Sequence, residues 1–220
     1  MRTKIITILL IIFVQFSAIS QPQGKRDELP NLNLLQRLLS DGSVAPNVTG
    51  HIFHKKPHTK IASVAEFENE LREFQTNLRN RITILQFWEM RCQYSKLVLP
   101  MLENIYANYK DEGVQAFAVN TNDFGIREFL VEFLNEYSYI QPIFDAETMY
   151  YFERREDGFY RPFNIPILFA PEVTKRRYGV SAFPAVFIID KQGLVYTAMI
   201  GYFEGYERWL SQVLDGLLAE

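Results

Sequence analysis

The sequence predicts an α/β fold in which helices flank a central mixed sheet. Short apolar runs typical of buried strands alternate with segments of helical period from about residue 61 to the end of the chain. The last two strand-like runs are separated by a tight-turn sequence, whereas helices separate the earlier ones. Strands joined through helices run parallel and strands joined by tight turns run antiparallel, so the sheet must be mixed. The 220 residues, 48% of them hydrophobic, suit one domain with a well-filled core.

Residues 1–20 have the pattern of an export signal. Arg2 and Lys4 precede an apolar run, and small residues around Ala18 provide a cleavage point. We therefore expect an exported protein, periplasmic or extracellular, without stable membrane insertion after cleavage. An uncleaved membrane anchor is the alternative interpretation.

Residues 21–60 predict a linker with a short amphipathic helix within it. His51, His54 and His58 have a spacing that could hold copper or zinc. However, two lysines lie between them and no carboxylate is interleaved, which favours a solvated basic loop. No metal and no cofactor are predicted.

The domain begins with a helix predicted from Ser63 to about Asn80. Ser63 and Glu66 have the spacing of a capping box. The side chains of its buried stripe would be Val64, Phe67, Leu71, Phe74 and Leu78.

A buried strand from Ile82 to Phe87 is followed by a turn and by Cys92, the only cysteine of the chain. Helical spacing of apolar residues begins just after Cys92. The first turn of a helix carries unpaired N–H groups and the positive end of the dipole, and both favour a thiolate. The pattern therefore predicts a reactive sulfur, and a single cysteine allows no intramolecular disulfide.

The remaining elements follow in order. Gly113 ends the helix, Val114–Val119 forms a strand, and a helix begins at Asp123 with apolar side chains at Phe124, Ile126, Phe129, Leu130, Phe133 and Leu134. Residues 146–171 form an aromatic-rich insertion, which is either a packed lid or a docking surface. The C-terminal elements are a helix at Glu172–Tyr178, strands at Ala185–Ile189 and Leu194–Ile200 joined by a tight turn, and a helix at Phe203–Leu218.

The spacing Trp88-x-x-x-Cys92-x-x-Ser95-x-x-x-x-Pro100 resembles the active-site segment of the thioredoxin superfamily. It is most similar to the TlpA-like extracytoplasmic thiol-disulfide oxidoreductases. The run Tyr178–Gly193 resembles a second landmark of that family, in which a proline is cis and lies beside the cysteine. The resemblance extends over residues 61–218 and implies a thioredoxin-like fold.

The resemblance also implies the site. Cys92, Ser95 and Pro184 occupy the catalytic positions, and Pro184 is expected to be cis. Trp88, Arg91 and Phe183 occupy positions expected to contact a substrate. We further expect the Ser95 hydroxyl to donate a hydrogen bond to Cys92.

The chain departs from the family where Ser95 replaces the second cysteine. Gln86 also lies where two-cysteine relatives often carry a buried carboxylate, although it is equally suited to be a hydrogen-bonded strand residue. A monothiol mechanism follows, in which Cys92 exchanges with protein or small-molecule thiols and disulfides through mixed disulfides.

Two other functions stay open. One is a degenerate binding or chaperone module in which Cys92 is a relic. The other is a one-cysteine peroxidase, disfavoured because Leu85–Arg91 lacks the P-x-x-x-[TS]-x-x sequence that usually precedes a peroxidatic cysteine. The net charge of −3 provides no nucleic-acid footprint, and the oligomeric state is left open.

Overall fold

The computed structural model describes residues 38–54, 60–123, 125–137, 140–143, 151–154 and 165–220. The strands are β1 Thr49–Phe53, β2 Arg72–Gln75, β3 Ile82–Trp88, β4 Val114–Asn120, β5 Ile140–Ile143, β6 Tyr151–Arg154, β7 Ile167–Phe169, β8 Ala185–Ile189 and β9 Val195–Ile200. The helices are α1 Val64–Glu70, α2 Gln93–Tyr109, α3 Arg127–Tyr137, α4 Glu172–Arg177 and α5 Tyr206–Ala219.

Seven strands form one mixed sheet in the order β2-β1-β7-β4-β3-β8-β9, and β5 pairs with β6 separately. β3 and β4 run parallel, as do β4 and β7, whereas the remaining neighbours are antiparallel. This arrangement confirms the predicted fold class.

The central strands are buried on both faces of the sheet. Every residue of β3 and of β8 is buried, which explains why both read as continuous apolar runs rather than as alternating ones. One face packs side chains of α1, α2, α3 and α5, such as Phe67, Leu102, Leu134 and Leu214. The other face packs Leu38, Val48, Tyr178 and their neighbours.

The predicted turns form at the expected positions. A 3-10 turn at Lys110–Glu112 follows α2, and the chain then passes through Gly113 with φ of 88°, a conformation that glycine adopts readily. In the turn between β8 and β9, the Asp190 carboxylate accepts hydrogen bonds from the backbone amides of Gln192 and Leu194, both at 2.9 Å.

The helix predicted from Ser63 to Asn80 is too long, because α1 ends at Glu70. Half of the predicted capping box forms, because Ser63 Oγ accepts from the Glu66 amide at 3.2 Å. Glu66 Oε2 accepts at 2.7 Å from the amide of Ala62, one residue before the Ser63 amide that the capping box would use. Phe67 packs on one face of the sheet and Leu78 on the other. A single helical stripe cannot reach both faces, so the chain turns at Leu71 and adds β2 to the sheet edge.

The predicted limits of the linker and of the insertion also need correction. β1 comes from the segment interpreted as a linker, and β7 comes from the end of the insertion at 146–171. These two strands pair with each other, with Ile52 opposite Leu168. The folded sheet therefore begins before residue 61, and the insertion ends before β7.

Other predictions are partly corrected or lie outside the described residues. α3 begins at Arg127 rather than Asp123, and Phe129, expected on its buried face, is 60% exposed. The predicted export signal at 1–20, most of the predicted amphipathic helix and residues 146–150 and 155–164 of the predicted insertion are outside the described ranges. Among the described helices, none has both the length and the apolarity that crossing a bilayer requires.

Candidate active site

Cys92 is the residue that directly precedes α2, at the N-cap position. Its backbone has φ of −81° and ψ of 116°, and its side chain makes no capping hydrogen bond. Cys92 is partly exposed as a residue, and its Sγ donates to the carbonyl oxygen of Phe183 at 3.4 Å. The expected cysteine at a helix start is therefore present, and its sulfur faces the loop that precedes β8.

The pairing of β3 with β8 brings these distant segments together. Phe87 lies opposite Ala185 in an antiparallel register. The turn after β3 and the loop before β8 consequently meet at the same edge of the sheet. The Phe183–Pro184 peptide bond is cis, as predicted, and Pro184 is buried.

Ser95 does not interact with Cys92 in the expected way. The Ser95 side chain is fully buried, and its Oγ accepts a hydrogen bond from the Glu89 amide at 3.4 Å. The recorded hydrogen bond of Cys92 Sγ goes to Phe183 instead. The hydroxyl therefore helps to hold the turn before Cys92 rather than contacting the sulfur.

Trp88 is a core residue and cannot contact a substrate as predicted. Its side chain is wholly buried and stacks on Phe133, with ring centres 5.5 Å apart at 27°. Trp88 is the last residue of β3, whose every side chain is covered, and this explains the burial. Arg91 is exposed and Phe183 partly exposed, so both remain available to a bound molecule.

Asn120 and Asp123 belong to the site, although the sequence reasoning did not select them. Asp123 Oδ2 accepts from the Met90 amide at 2.6 Å and from Asn120 Nδ2 at 2.8 Å. The same Asn120 amide donates to the carbonyl of Trp88 at 3.4 Å, and Asn120 Oδ1 accepts from the Asp123 amide at 3.0 Å. This buried pair ties the end of β4 to the turn that carries Cys92. The polar run Asn120–Asp123 directly after a buried strand was the available clue.

A further side chain of that run reaches the other side of the site. Asn122 Nδ2 donates to Glu89 Oε2 at 2.9 Å, and Asn122 Oδ1 accepts from Lys175 Nζ at 3.3 Å. The Lys175 ammonium lies 5.7 Å from the centre of the Phe183 ring. These contacts connect the turn before Cys92 to the loop before β8, in which the Phe183 carbonyl accepts the hydrogen bond of the thiol.

Gln86 is a hydrogen-bonded residue beneath the site. Its Nε2 donates to the carbonyls of Ala185 at 3.1 Å and Phe87 at 3.3 Å, and its Oε1 accepts from the Tyr206 hydroxyl. Burial raises the pKa of Tyr206 well above its ordinary value, so this hydroxyl stays protonated and donates. Gln86 therefore joins β3, β8 and the start of α5.

The histidine segment shows no metal centre within the described ranges. His51 lies in β1 and His54 just after it, both exposed, while His58 is outside those ranges. Across the residues that the structure describes, no three or more His, Cys, Asp and Glu side chains are grouped as metal ligands.

Comparison with known proteins places the chain among thiol-dependent families. The model of the AhpC/TSA family matches residues 55–198. The thiol-disulfide oxidoreductase ResA of Bacillus thuringiensis is 24% identical over 148 residues, covering 65% of this chain and 70% of that protein. For ResA of Oceanobacillus iheyensis the identity is 25% over 87 residues, and the match spans only 44% of that relative's length and 40% of this chain.

A solved structure supports the same fold. The crystal structure of a protein assigned as the thiol:disulfide interchange protein DsbE of Chlorobium tepidum is 21% identical. It aligns with a TM-score of 0.56 over 82% of this chain and 99% of its own. This likeness agrees with the mixed sheet and flanking helices described above. The chain therefore belongs to the AhpC/TSA family and has a thioredoxin-like fold.

Proposed function

We propose that this protein is an exported thiol-disulfide exchange enzyme that works through one nucleophilic cysteine by way of mixed disulfides. The observation that carries the proposal is the position of Cys92, a partly exposed residue directly before α2 whose Sγ lies 3.4 Å from the carbonyl oxygen of Phe183. The activity named for the ResA relatives agrees with it. Its substrates would be protein or small-molecule thiols and disulfides.

The hydrogen bond from the thiol to Phe183 bears on how a substrate would bind. A thiol can donate to that carbonyl, but a thiolate cannot, so ionisation of Cys92 frees the carbonyl oxygen of Phe183. An extended substrate could then donate a backbone N–H to that oxygen while its disulfide faces the sulfur. The thiolate attacks one sulfur of the disulfide, and the other leaves as a thiolate, so that a mixed disulfide remains on Cys92.

The environment of Ser95 and Gln86 supports release by an external thiol. Ser95 offers a hydroxyl, which cannot attack a disulfide as a thiolate does. The Gln86 amide is hydrogen-bonded to Ala185 and Tyr206 and does not ionise. Neither group can perform the step that a second thiol and a carboxylate would share in a dithiol site.

The test is covalent trapping on the purified protein without its first twenty residues. Incubation with oxidised glutathione should add one glutathionyl group per chain, measured as intact mass under non-reducing conditions. Cys92→Ala should add none, with a free energy of unfolding within about 1 kcal/mol of the wild type because Cys92 is a partly exposed residue. Reduced glutathione in excess should restore the unmodified mass.

A folded wild-type protein that forms no adduct would reject the exchange mechanism and leave the binding or chaperone module. Export is part of the proposal, and N-terminal sequencing of protein recovered from the exported fraction tests it. A mature chain that still begins at residue 1 would contradict cleavage.

Peroxide reduction is the second candidate, because the matching family model is AhpC/TSA. Breaking an O–O bond is assisted by hydrogen-bond donors aimed at the oxygens. The group found on Cys92 Sγ is instead a carbonyl, which is an acceptor. Consumption of hydrogen peroxide by reduced protein, lost in Cys92→Ala, would favour this function over exchange.

A further inference from the structure

We infer that Lys175 forms a recognition point for an anionic small-molecule thiol, which would release the mixed disulfide from Cys92. The inference rests on the proposed function and deepens it by naming the chemical class of the reductant. This lysine lies in α4, far from Cys92 along the chain.

Lys175 and Cys92 both contact Phe183. The carbonyl of Phe183 accepts from Cys92 Sγ, and its ring lies 5.7 Å from the ammonium of Lys175. The thiol and the ammonium therefore contact the same residue, one at its backbone and one at its side chain. A thiol bound against Phe183 with its sulfur at Cys92 would therefore have the Lys175 ammonium on the other side of the same residue.

The position of Lys175 is set by Asn122. Because the Asn122 amide nitrogen donates to Glu89, its oxygen faces Lys175 and accepts from Nζ at 3.3 Å. The Lys175 side chain is partly buried, with its ammonium on a neutral amide oxygen and an aromatic ring. Neither contact cancels its charge.

The positive charge of Lys175 is not neutralised by an ion pair with a described residue. Among the described residues, no carboxylate lies within ion-pair distance of Lys175. Glu89 is separated from it by the Asn122 side chain. Arg91, exposed and adjacent to Cys92 in the chain, adds a second positive charge near the sulfur.

The chemistry requires such a molecule twice in each cycle. After Cys92 has attacked a substrate disulfide, an external thiolate attacks Cys92 Sγ, the substrate sulfur leaves as a thiolate, and the external thiol remains bound to Cys92. A second external thiolate attacks the sulfur of the first, and Cys92 leaves as a thiolate. Two thiols are oxidised to one disulfide, and one substrate disulfide is reduced to two thiols. A cation beside Cys92 accelerates both steps for a thiol that carries a carboxylate.

The experiment follows release of a neutral group from Cys92. Reaction with 2,2′-dithiodipyridine loads Cys92 with a 2-pyridylthio group. An added thiolate then attacks Cys92 Sγ and displaces pyridine-2-thione, whose absorbance gives the rate constant. The probes are 3-mercaptopropionate, 2-mercaptoethanol and cysteamine, which are anionic, neutral and cationic. Each probe is compared with itself across variants, so that differences in thiol basicity between probes cancel.

The variants isolate the charge. With 3-mercaptopropionate, Lys175→Gln should react roughly 5-fold more slowly than the wild type, the ratio expected for one charge pair about 4 Å apart in water. The rate with 2-mercaptoethanol should be unchanged and that with cysteamine somewhat higher. Lys175→Arg should restore the wild-type rate with the anion, and Lys191→Gln, in the distant β8–β9 turn, should have no effect on any probe.

The outcomes separate the two ideas. Equal changes for all three probes, or no change with the anionic one, would overturn the inference while leaving the proposed function intact. An adduct that does not form on Cys92, or that no thiol releases, would overturn the proposed function together with the inference. A difference that disappears in high salt would support the charge as its cause.

Discussion

Replacement of Asp123 by alanine should destabilise the protein and slow exchange at Cys92. Asp123 is 5% exposed and accepts two hydrogen bonds, from the Met90 amide and from Asn120 Nδ2. Without the carboxylate, the buried Met90 N–H loses its acceptor, while Asn120 Nδ2 keeps the Trp88 carbonyl. One unsatisfied buried donor costs about 1–3 kcal/mol and a hydrogen bond to a charged group contributes about 1.5–3 kcal/mol. We therefore expect a loss of about 2–4 kcal/mol, measured by urea unfolding.

The chemical consequence depends on the turn between β3 and α2. Met90 precedes Cys92 by two residues, so freeing its amide loosens the helix start beside the sulfur. A helix terminus stabilises a nearby charge by about 0.3–1 kcal/mol. Because a less stabilised thiolate is scarcer but also more nucleophilic, the two effects partly offset, and the reaction of Cys92 with oxidised glutathione should slow by at most about 2.5-fold. Asp123→Asn keeps an oxygen acceptor for Met90 and should recover most of both losses.

Asp190→Ala is the matched control. Asp190 likewise accepts from two backbone amides, but in the β8–β9 turn away from Cys92. It should lower the free energy of unfolding without changing the exchange rate of the protein that remains folded. The reasoning is refuted if Asp123→Ala costs less than about 0.5 kcal/mol, or if it alters exchange no more than Asp190→Ala does.

Two further predictions concern Ser95 and Tyr206. Ser95→Cys should oxidise to an intramolecular disulfide with Cys92, because residues three apart lie on one side of a helix. The number of free thiols per chain, measured by titration, should then fall from two to none. Two thiols that persist under oxidising conditions would contradict this geometry. Burial raises the pKa of Tyr206, so its contribution to stability is complete below the ordinary tyrosine pKa of about 10 and is lost progressively as pH rises above that value. Between pH 10 and 11 the wild type should lose about 1 kcal/mol more than Tyr206→Phe, because the unfolded tyrosine goes from about half to about nine-tenths ionised over that unit. Equal slopes in urea unfolding would show that the hydroxyl is not buried.

Local patterns in the sequence were sufficient for the parts of the fold that depend on neighbours in the chain. The apolar runs of β3 and β8, the turn at Asp190 and the helix after Cys92 were all predicted, because each is determined by a few adjacent residues. The strands β1, β2 and β7 were not, because they are short and gain their partners only through pairing with distant segments. A capping box at Ser63 predicts where a helix begins but contains no information on where it ends.

The site divides in the same way. The sequence predicted Cys92 at a helix start and Pro184 beside it, since both belong to recognisable runs. Trp88 was misassigned because a landmark residue does not reveal which way its side chain faces. Asp123 was missed because its role depends on a hydrogen bond to an amide 33 residues earlier in the chain, and no local pattern encodes that contact.

The two positions that distinguish this site from a dithiol site are both integrated into the surrounding structure. If a second cysteine were replaced without other changes, nearby buried polar atoms would lack hydrogen-bond partners, and each such atom would lower the free energy of unfolding by about 1–3 kcal/mol. Ser95 instead accepts from Glu89, and Gln86 bonds to Ala185 and Tyr206. Neither appears among the described buried side-chain atoms that lack a hydrogen bond, although Trp88 Nε1 does. The buried polar groups at these two positions are therefore satisfied with a single cysteine in the site. In its reduced state, Ser95→Cys should have a lower free energy of unfolding than the wild type, because sulfur is a poor acceptor for the Glu89 amide.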